Sequence, residues 1–403
     1  MDEDSEVVII GAGICGLATA LALHKKGIKS VVMERSESLR NVSGAAIIIQ
    51  QNGWRALHQL GIDEILRQTA LPIYRYRTIS FDDRGRQKET SLIHWEGEWR
   101  CLRRKNLIDT LYAALPRGTV KFNCQVESIK LDPYSTKPVL RSVNGSFIRP
   151  KVVIGCDGNN SITADFLNLK PTKMFSLCPV RGLTTYPNGH PYDNEFIRLI
   201  KDNIVVARIP IDDNLVYWFC FLTYVPKANE KIWKDPELIR QLTIEMVRNH
   251  PQEIQEMVEN ADIKSLSLTH LRYRAPWDLL TGTCCKGTVA VAGDAMHAMG
   301  PFLGQGGAAA LEDAIVLARI MAQRLGSNSD ESGSKITVHG VEDALNLYVK
   351  ERRMRVVLLS LQTYLIGTLS STSSRIKKMI CVMLLILLFY DQNSHMYYDC
   401  GNL

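Results

Sequence analysis

The sequence lacks the features of a disulfide scaffold, a zinc site or a nucleic-acid-binding protein. Its ten cysteines are scattered among apolar residues without a Cys-x-x-Cys pair, and its nine histidines show no His-x-x-x-His spacing. Lys and Arg together number 48 and Asp and Glu 42, so the net charge is only +6, and no dense basic block is present. We therefore expect reduced cysteines, no dedicated metal ion and no nucleic-acid partner.

A targeting segment and a membrane-spanning run are also lacking. The chain starts with acidic residues rather than a basic, apolar signal region, so we expect a cytoplasmic protein. Residues 379–390 carry no charge, but this run is shorter than the about 20 residues that cross a bilayer. We interpret it as a core helix. The alternative is a segment on a membrane surface, because Arg375, Lys377 and Lys378 come just before it.

A glycine-rich turn follows the first predicted strand. Val7–Ile10 is a short β-branched run, and the sequence Gly-Ala-Gly-Ile-Cys-Gly over residues 11–16 then opens a predicted helix. Such glycines allow a tight turn, the close approach of the backbone to a pyrophosphate, and the packing of helix on strand. Glu34 ends the next predicted strand, where a carboxylate can bind ribose hydroxyls and disfavours a 2′-phosphate. This unit predicts a site for FAD or NAD.

Two further glycine-containing segments follow predicted strands. Gly293 and Asp294 come after the strand-like residues 288–292, and more glycines then lead into a predicted helix. An aspartate there can bind a ribityl or ribose hydroxyl, and the helix start offers N–H donors to a negatively charged ring edge. The alternative is an ordinary connection between strand and helix. The third segment, Asp157-Gly158, by itself indicates only a turn.

Taken together, the three motifs resemble those of the group A flavoprotein monooxygenases, which have the fold of para-hydroxybenzoate hydroxylase. Within this family, the chain is most similar to the plant FAD-dependent monooxygenases related to zeaxanthin epoxidase. The resemblance extends over nearly the whole chain. The matching residues are Gly11, Gly13, Gly16, Glu34 and Arg35, then Arg104 and Leu107, then Asp157, Gly158 and Ser161, and finally Gly293, Asp294, His297, Pro301, Gly304, Gly306 and Asp313.

The order of elements and the resemblance predict a mixed α/β fold. A Rossmann-like FAD-binding domain is expected over residues 1–175 and 276–325, with an inserted antiparallel-sheet substrate domain over 176–275. A flexible loop is expected over 326–339, followed by a helical C-terminal segment over 340–403. The residues predicted to bind the cofactor are Gly11, Ala12, Gly13, Ile14, Gly16, Glu34, Arg35, Arg104, Asp157, Gly293, Asp294, Pro301, Gly304, Gln305, Gly306 and Gly307.

The resemblance implies an FAD-dependent monooxygenase that uses NADH or NADPH as a transient electron donor. A C4a-hydroperoxyflavin would pass one atom of dioxygen to a small aromatic or isoprenoid-like substrate, by hydroxylation or epoxidation. Two alternatives are an FAD oxidase or dehydrogenase without oxygen insertion, and a non-catalytic flavin-binding regulatory protein. We expect a monomer or homodimer, with weak membrane-surface contact through 379–390 as a further option. The residues identify no catalytic side chain, and we interpret His297 as structural.

The sequence departs from the family pattern at three positions, and three small residues suggest a close approach to the ring. Ala164 and Ala298 stand where many relatives have Arg and Pro, so the preference for a nicotinamide donor is open. Phe302 stands where relatives often have a polar residue, which favours a hydrophobic substrate. The small residues 44–46 would suit a chain passing close to the flavin ring, with a tight loop as the alternative. Tyr217 and Trp218 are candidates for the substrate pocket, with a core position as the alternative.

Overall fold

The computed structural model describes residues 6–39, 46–82, 84–94, 97–202, 204–222, 226, 230–326, 337–391 and 393–403, with the backbone alone for 90–94. The small residues 44 and 45 therefore lie outside the described residues. The strands are β1 Val7–Ile10, β2 Ser30–Met33, β3 Ala46–Ile49, β4 Leu71–Pro72, β5 Arg75–Phe81, β6 Gln87–His94, β7 Arg100–Arg103, β8 Val120–Lys121, β9 Val126–Leu131, β10 Pro138–Ser142, β11 Phe147–Ile148, β12 Val152–Gly155, β13 Lys173–Met174, β14 Cys178–Thr185, β15 Glu195–Lys201, β16 Ile204–Asp212, β17 Leu215–Leu222, β18 Ser267–Leu268, β19 Arg272–Tyr273, β20 Cys285–Lys286 and β21 Val289–Val291. The α-helices are α1 Ile14–Lys25, α2 Gln51–Leu60, α3 Asp63–Arg67, α4 Arg104–Ala113, α5 Ile162–Phe166, α6 Pro236–Val247, α7 Gln252–Glu259, α8 Pro276–Thr281, α9 Asp294–His297, α10 Gly306–Gly326, α11 Val338–Ser371 and α12 Arg375–Leu388.

A six-stranded sheet forms the centre of the molecule, in the order β20-β21-β12-β1-β2-β8. All neighbours except the edge pair β20 and β21 are parallel. All of β1, β12 and β21 is buried, as expected for strands covered on both faces. Because β1, β12 and β21 run in parallel, their carboxyl ends meet at one edge. The three glycine-containing segments follow these strands and therefore lie together there.

A seven-stranded, mostly antiparallel sheet stands beside it, in the order β18-β14-β17-β16-β15-β5-β6. Burial alternates along β17, so that one face packs on α6 and α7 and the other faces a cavity. The substrate region predicted over 176–275 leaves out β5 and β6. Residues 75–80 pair in parallel with 195–200, and such a distant pairing leaves no local pattern in the sequence.

Three helices complete the C-terminal part of the fold. The helix α10 packs between α1 and α11, and most of its side chains are buried. The predicted loop over 326–339 falls largely outside the described residues. Its ends belong to helices, because α10 ends at Gly326 and α11 begins at Val338.

The interpretation of residues 379–390 as a core helix is wrong. These residues form most of α12 and the turn after it, and within α12 only Cys381 is buried. Large apolar side chains are exposed instead, among them Met379 at 66% and Leu387 at 69%. Among the described residues, we find no helix with both the length and the apolar character needed to cross a bilayer.

Candidate functional site

The turn after β1 combines two glycines that the protein itself requires with one that faces open space. A Cβ on Gly11, whose φ is +101°, would lie 2.6 Å from the carbonyl oxygen of Cys156. A Cβ on Gly16 would lie 1.9 Å from the carbonyl oxygen of Gly11, so this glycine allows α1 to pack on the turn. A Cβ on Gly13 would meet no heavy atom of the described residues within 4 Å. Gly13 therefore leaves room for a ligand beside the start of α1.

Glu34 is fixed at the end of β2, directly beside this turn. Its Oε2 accepts a hydrogen bond from the backbone N–H of Ala12, and its Oε1 accepts one from Ser36, both at 2.9 Å. The residue is 8% exposed, and each carboxylate oxygen retains a lone pair for a further donor. This arrangement fits a carboxylate that binds the hydroxyls of a ribose. Arg35, the next residue, is exposed.

The second glycine-rich segment lies opposite, at the end of β21. Gly293 has φ of +60°, and its N–H donates to Asp313 Oδ2 at 2.8 Å. Asp294 is exposed and interacts electrostatically with Arg104. Gly306 begins α10, and a Cβ there would meet no heavy atom of the described residues within 4 Å. The backbone N–H groups at the start of α10 therefore face free space, as a negatively charged ring edge requires.

Asp157 supports its own turn. Its Oδ1 accepts from the Ser161 hydroxyl at 2.5 Å, and its Oδ2 accepts from the backbone N–H of Thr163 at 3.2 Å. Ser161 in turn accepts from the N–H of Ala164 at 2.8 Å and caps α5. Burial raises the pKa of Asp157, and the hydrogen bonds to its carboxylate oppose this effect. The predicted contact of this carboxylate with the cofactor stays a prediction.

One cavity of about 1120 Å³ connects the two glycine-rich segments with the seven-stranded sheet. The predicted cofactor residues that line it are Gly13, Ile14, Arg104, Asp294, Pro301, Gly304, Gly306 and Gly307. The predicted residues that the described lining does not include are Gly11, Ala12, Gly16, Glu34, Arg35, Asp157, Gly293 and Gln305. The structure thus brings both motifs to one cavity, while several of their residues act from behind its wall.

Gln305 is one of these residues, and it is completely buried. Its Oε1 accepts from Asn52 Nδ2 at 2.8 Å, and its Nε2 donates to Gln50. Gln50 lines the cavity and donates to the carbonyl of Leu303 at 2.9 Å. This network holds the glycine-rich segment in place. Gln50 and Asn52 were missed because a lone amide before a predicted helix carries no recognisable spacing.

Buried charges lie directly beneath this segment. Asp313 on α10 contacts His297 Nε2 at 2.6 Å and Arg352 Nε at 2.7 Å, and all three side chains are completely buried. Glu312 contacts Arg352 at 2.8 Å and Arg355 at 2.9 Å. Burial alone would raise the pKa of Asp313, but the charges of His297 and Arg352 outweigh it and lower the pKa to about 2. His297 is thus part of the support beneath the turn, in agreement with its structural interpretation.

Aromatic and cationic side chains form the opposite wall of the cavity. Tyr76 and Phe196 stack with ring centroids 5.3 Å apart, and Phe221 contacts Phe302 at 6.4 Å. Tyr217 faces the cavity as proposed. Trp218 lies on the other side of β17 and is buried in the core.

Two arginines lie among these rings. Arg181 donates to the Thr269 hydroxyl at 2.6 Å, and Arg198 donates to the Tyr76 hydroxyl at 3.0 Å. Both were missed in the sequence. The available signal was a cationic residue at alternate positions of a strand-like run, where a cavity-facing side chain is expected.

Metal ligation has no support in the part of the chain that the structure describes. No group of three or more His, Cys, Asp or Glu side chains there is arranged to hold a metal ion.

Comparisons with known proteins relate both the sequence and the fold to flavoproteins. A family model described as an FAD binding domain matches residues 4–353. Monooxygenase 1 of Arabidopsis thaliana is 45% identical over 402 residues, with 100% of each chain covered, and Monooxygenase 2 of the same plant is 32% identical over 417 residues, again with 100% of each covered. The crystal structure of Klebsiella pneumoniae HpxO complexed with FAD and uric acid superposes with a TM-score of 0.79 at 20% identity, covering 97% of this chain and 96% of that one.

Proposed function

The chain belongs to the family of FAD-dependent monooxygenases, and we propose that it uses NADH or NADPH and dioxygen to hydroxylate or epoxidise a small aromatic or isoprenoid-like molecule. One observation carries the proposal. A single cavity is lined by Gly13 and Gly306 on one side and by Tyr76 and Phe219 on the other. Such a cavity has room for a flavin ring and a substrate in contact with each other.

Several residues of this chain would hold FAD. Glu34 would bind the ribose, and Gly13 would let the backbone approach the pyrophosphate. Asp294 would accept a hydrogen bond from the ribityl chain beside Arg104, and the N–H groups from Gly306 would face the flavin ring. When bound, FAD supplies the redox chemistry that accepts electrons and activates dioxygen.

The substrate wall favours an apolar molecule with one anionic group. Phe196, Phe221 and Phe302 offer ring faces, which stack on aromatic or unsaturated carbon skeletons. Arg181 and Arg198 project among these rings, and a guanidinium in a largely apolar cavity binds a carboxylate or phenolate strongly. We therefore assign the two arginines to the orientation of the substrate.

A phenolic substrate would also need a proton acceptor. His270 lines the cavity, and its ring packs on Trp233 with centroids 4.1 Å apart. Burial lowers the pKa of His270, so its imidazole is neutral at pH 7 and can take up a proton. An alkene substrate would need no such group.

Anaerobic reduction of the bound flavin tests the reaction type. The flavin absorbance is followed after mixing with NADH or NADPH, with and without phenolic and terpenoid acids and their uncharged esters. Strong acceleration by one of the acids, absent with its ester, is the expected result. Fast reduction without any compound would favour an oxidase or dehydrogenase. No reduction under any condition would favour a non-catalytic flavin protein.

The variant Glu34→Arg tests the placement of the cofactor. The exchange removes the ribose acceptor and adds a positive charge, so we expect at least a tenfold weaker retention of FAD, or roughly 1.4 kcal/mol. Lys29→Arg, an exchange on the surface close to β2, is the matched control. An FAD content equal to that of the unchanged protein would refute the assignment of Glu34.

A further inference from the structure

The helix α12 presents a continuous apolar face to solvent. The exposed apolar residues at positions 376, 379, 383 and 387, and at 380, 382 and 386 beside them, follow the three-to-four spacing of one helix face. We call these seven residues the apolar face of α12. They are Ile376, Met379, Ile380, Val382, Met383, Ile386 and Leu387. Their side chains are between 41% and 69% exposed, which is the opposite of what folding alone would select.

The other side of α12 is packed firmly on the protein. Cys381 and Phe389 are buried against Leu365, together with the half-buried Leu361, Tyr364, Leu369, Leu384 and Leu385. Ser374 caps the helix by accepting from the N–H of Lys377. The helix is therefore part of the fold, with a direction and a seat, and its apolar face is held outward.

Charge is distributed unevenly around this helix. Arg375, Lys377 and Lys378 are all exposed at its first turn. The chain contains no Asp or Glu between Glu351 and Asp391. The positive end of the helix dipole coincides with these three cations. The apolar face is thus bordered by positive charge alone, which is complementary to an anionic surface.

We infer that the apolar face of α12 docks on the surface of an anionic phospholipid bilayer. The 14 residues of α12 extend over roughly 21 Å, too short to cross a bilayer but suited to lying in its interface. Its lysines can reach the phosphates while the apolar side chains enter the acyl region. This inference does not depend on the reaction that the protein catalyses.

A second protein is a poorer match for the same surface. Protein–protein interfaces carry about one hydrogen bond per 100–200 Å². The apolar face offers no hydroxyl, amide or carboxylate side chain over its seven residues. A lipid surface makes no such demand, since its outer layer supplies phosphates for the lysines and its interior needs no hydrogen bonds.

The docked surface would also lie next to the cavity. Leu385 of α12 and Ile366 of α11 both contribute to the lining of the cavity, as do Ser370 and Ser371 at the end of α11. Docking through α12 would therefore bring the cavity close to the bilayer. An apolar substrate dissolved in lipid could then enter without crossing bulk water.

Co-sedimentation of the full-length protein with vesicles tests the inference. The probes are vesicles of phosphatidylcholine and vesicles of phosphatidylcholine mixed with phosphatidylglycerol. We expect binding to the mixed vesicles that weakens with added salt, and much weaker binding to phosphatidylcholine alone. No binding to the mixed vesicles at low salt would overturn the inference.

Two sets of exchanges separate the apolar and the charged contributions. Met379→Gln, Met383→Gln and Leu387→Gln combined should weaken vesicle binding by roughly a hundredfold or more. Lys377→Gln with Lys378→Gln should weaken it by about tenfold and abolish the preference for phosphatidylglycerol. Ile65→Gln, Tyr74→Gln and Phe147→Gln combined are the matched control, because these side chains are similarly exposed elsewhere. Unchanged binding in the first set would overturn the inference.

Two further measurements guard the interpretation. The unfolding temperature and circular dichroism of each variant show whether it folds, so that lost binding is not mistaken for lost structure. Sedimentation velocity without vesicles tests a second copy of the chain as the occupant. A dimer that the three exchanges in α12 convert to a monomer would overturn the inference in favour of a protein interface.

Discussion

The interface of α10 with α11 and the outer side of α12 break the usual rule of protein interiors in opposite directions. Between α10 and α11, two carboxylates and the guanidinium of Arg352 are completely buried. On α12, methionines, leucines and isoleucines face solvent. The buried charges lie beneath the glycine-rich segment that borders the cavity. The exposed apolar side chains lie beside the outer part of the same cavity.

The difference shows what each departure provides. Buried ion pairs contribute little net stability but impose one arrangement, because any other would leave a charge unpaired. They suit a region that must keep a cofactor turn in one position. An exposed apolar face contributes nothing to folding and has value only in contact with another medium. The first region is thus specified by contacts within the protein, and the second by contacts outside it.

The largest expected effect tests the buried charges. Arg352→Met keeps much of the side-chain volume but leaves Asp313 and Glu312 with fewer cations. We expect the free energy of unfolding to fall by about 3–5 kcal/mol, measured by urea denaturation. Arg248→Met removes the exposed partner of Glu245 and should cost less than about 1 kcal/mol. Equal losses in the two variants would show that burial does not distinguish these ion pairs.

Acid sharpens the same side of the comparison. The pKa of Asp313 is lowered to about 2, below the ordinary value of about 3.9. Its contribution to stability is therefore complete above pH ~4 and is lost as the pH falls towards ~2, and it amounts to about 2 kcal/mol. Asp313→Asn should lose this part of the acid dependence, measured as unfolding free energy against pH. A variant as acid-sensitive as the unchanged protein would contradict the assignment.

A third effect contrasts space left for a ligand with space filled by protein. Gly13→Val places a side chain where the described residues leave room, so the fold should persist while FAD retention falls at least tenfold, or roughly 1.4 kcal/mol. Gly16→Val is the matched exchange, and its Cβ would clash with the Gly11 carbonyl and disrupt the fold. Flavin absorbance after gel filtration measures the first, and circular dichroism the second. Full FAD retention in Gly13→Val would refute this placement of the pyrophosphate.

The smallest expected effect tests the outer helix. Leu387→Gln exchanges a side chain that is 69% exposed, so the free energy of unfolding should change by less than about 0.5 kcal/mol. Leu365→Gln, on the buried side of the contact between α11 and α12, should cost several times more. Thermal unfolding without lipid measures both. Similar losses would mean that the apolar face belongs to the folded core after all.

Local motifs could be predicted from the sequence, and distant partners could not. The unit from Val7 to Glu34 is visible because strand, glycines, helix and acid follow one another within a short stretch. The contribution of β5 and β6 to the substrate sheet depends on a pairing between residues 75–80 and 195–200, which no local pattern records.

The direction of a side chain was the second limit. Asp157 matched a motif, yet its carboxylate serves Ser161 and Thr163. Residues 379–390 were correctly seen as apolar and helical, but hydrophobicity alone does not say which side of a helix is covered. The cavity arginines Arg181 and Arg198 belong to ordinary strand-like runs, and only the packing of the sheet places them together.

The order of strands in the central sheet has a consequence for biosynthesis. Its adjacent strands β1, β12 and β21 begin at Val7, Val152 and Val289. During translation, the first strand leaves the ribosome long before its second neighbour in the sheet can follow. The central sheet and the surfaces around its glycine turns can therefore close only when about three quarters of the chain is made. Until then the nascent polypeptide exposes apolar strands, which makes it a natural client for chaperones.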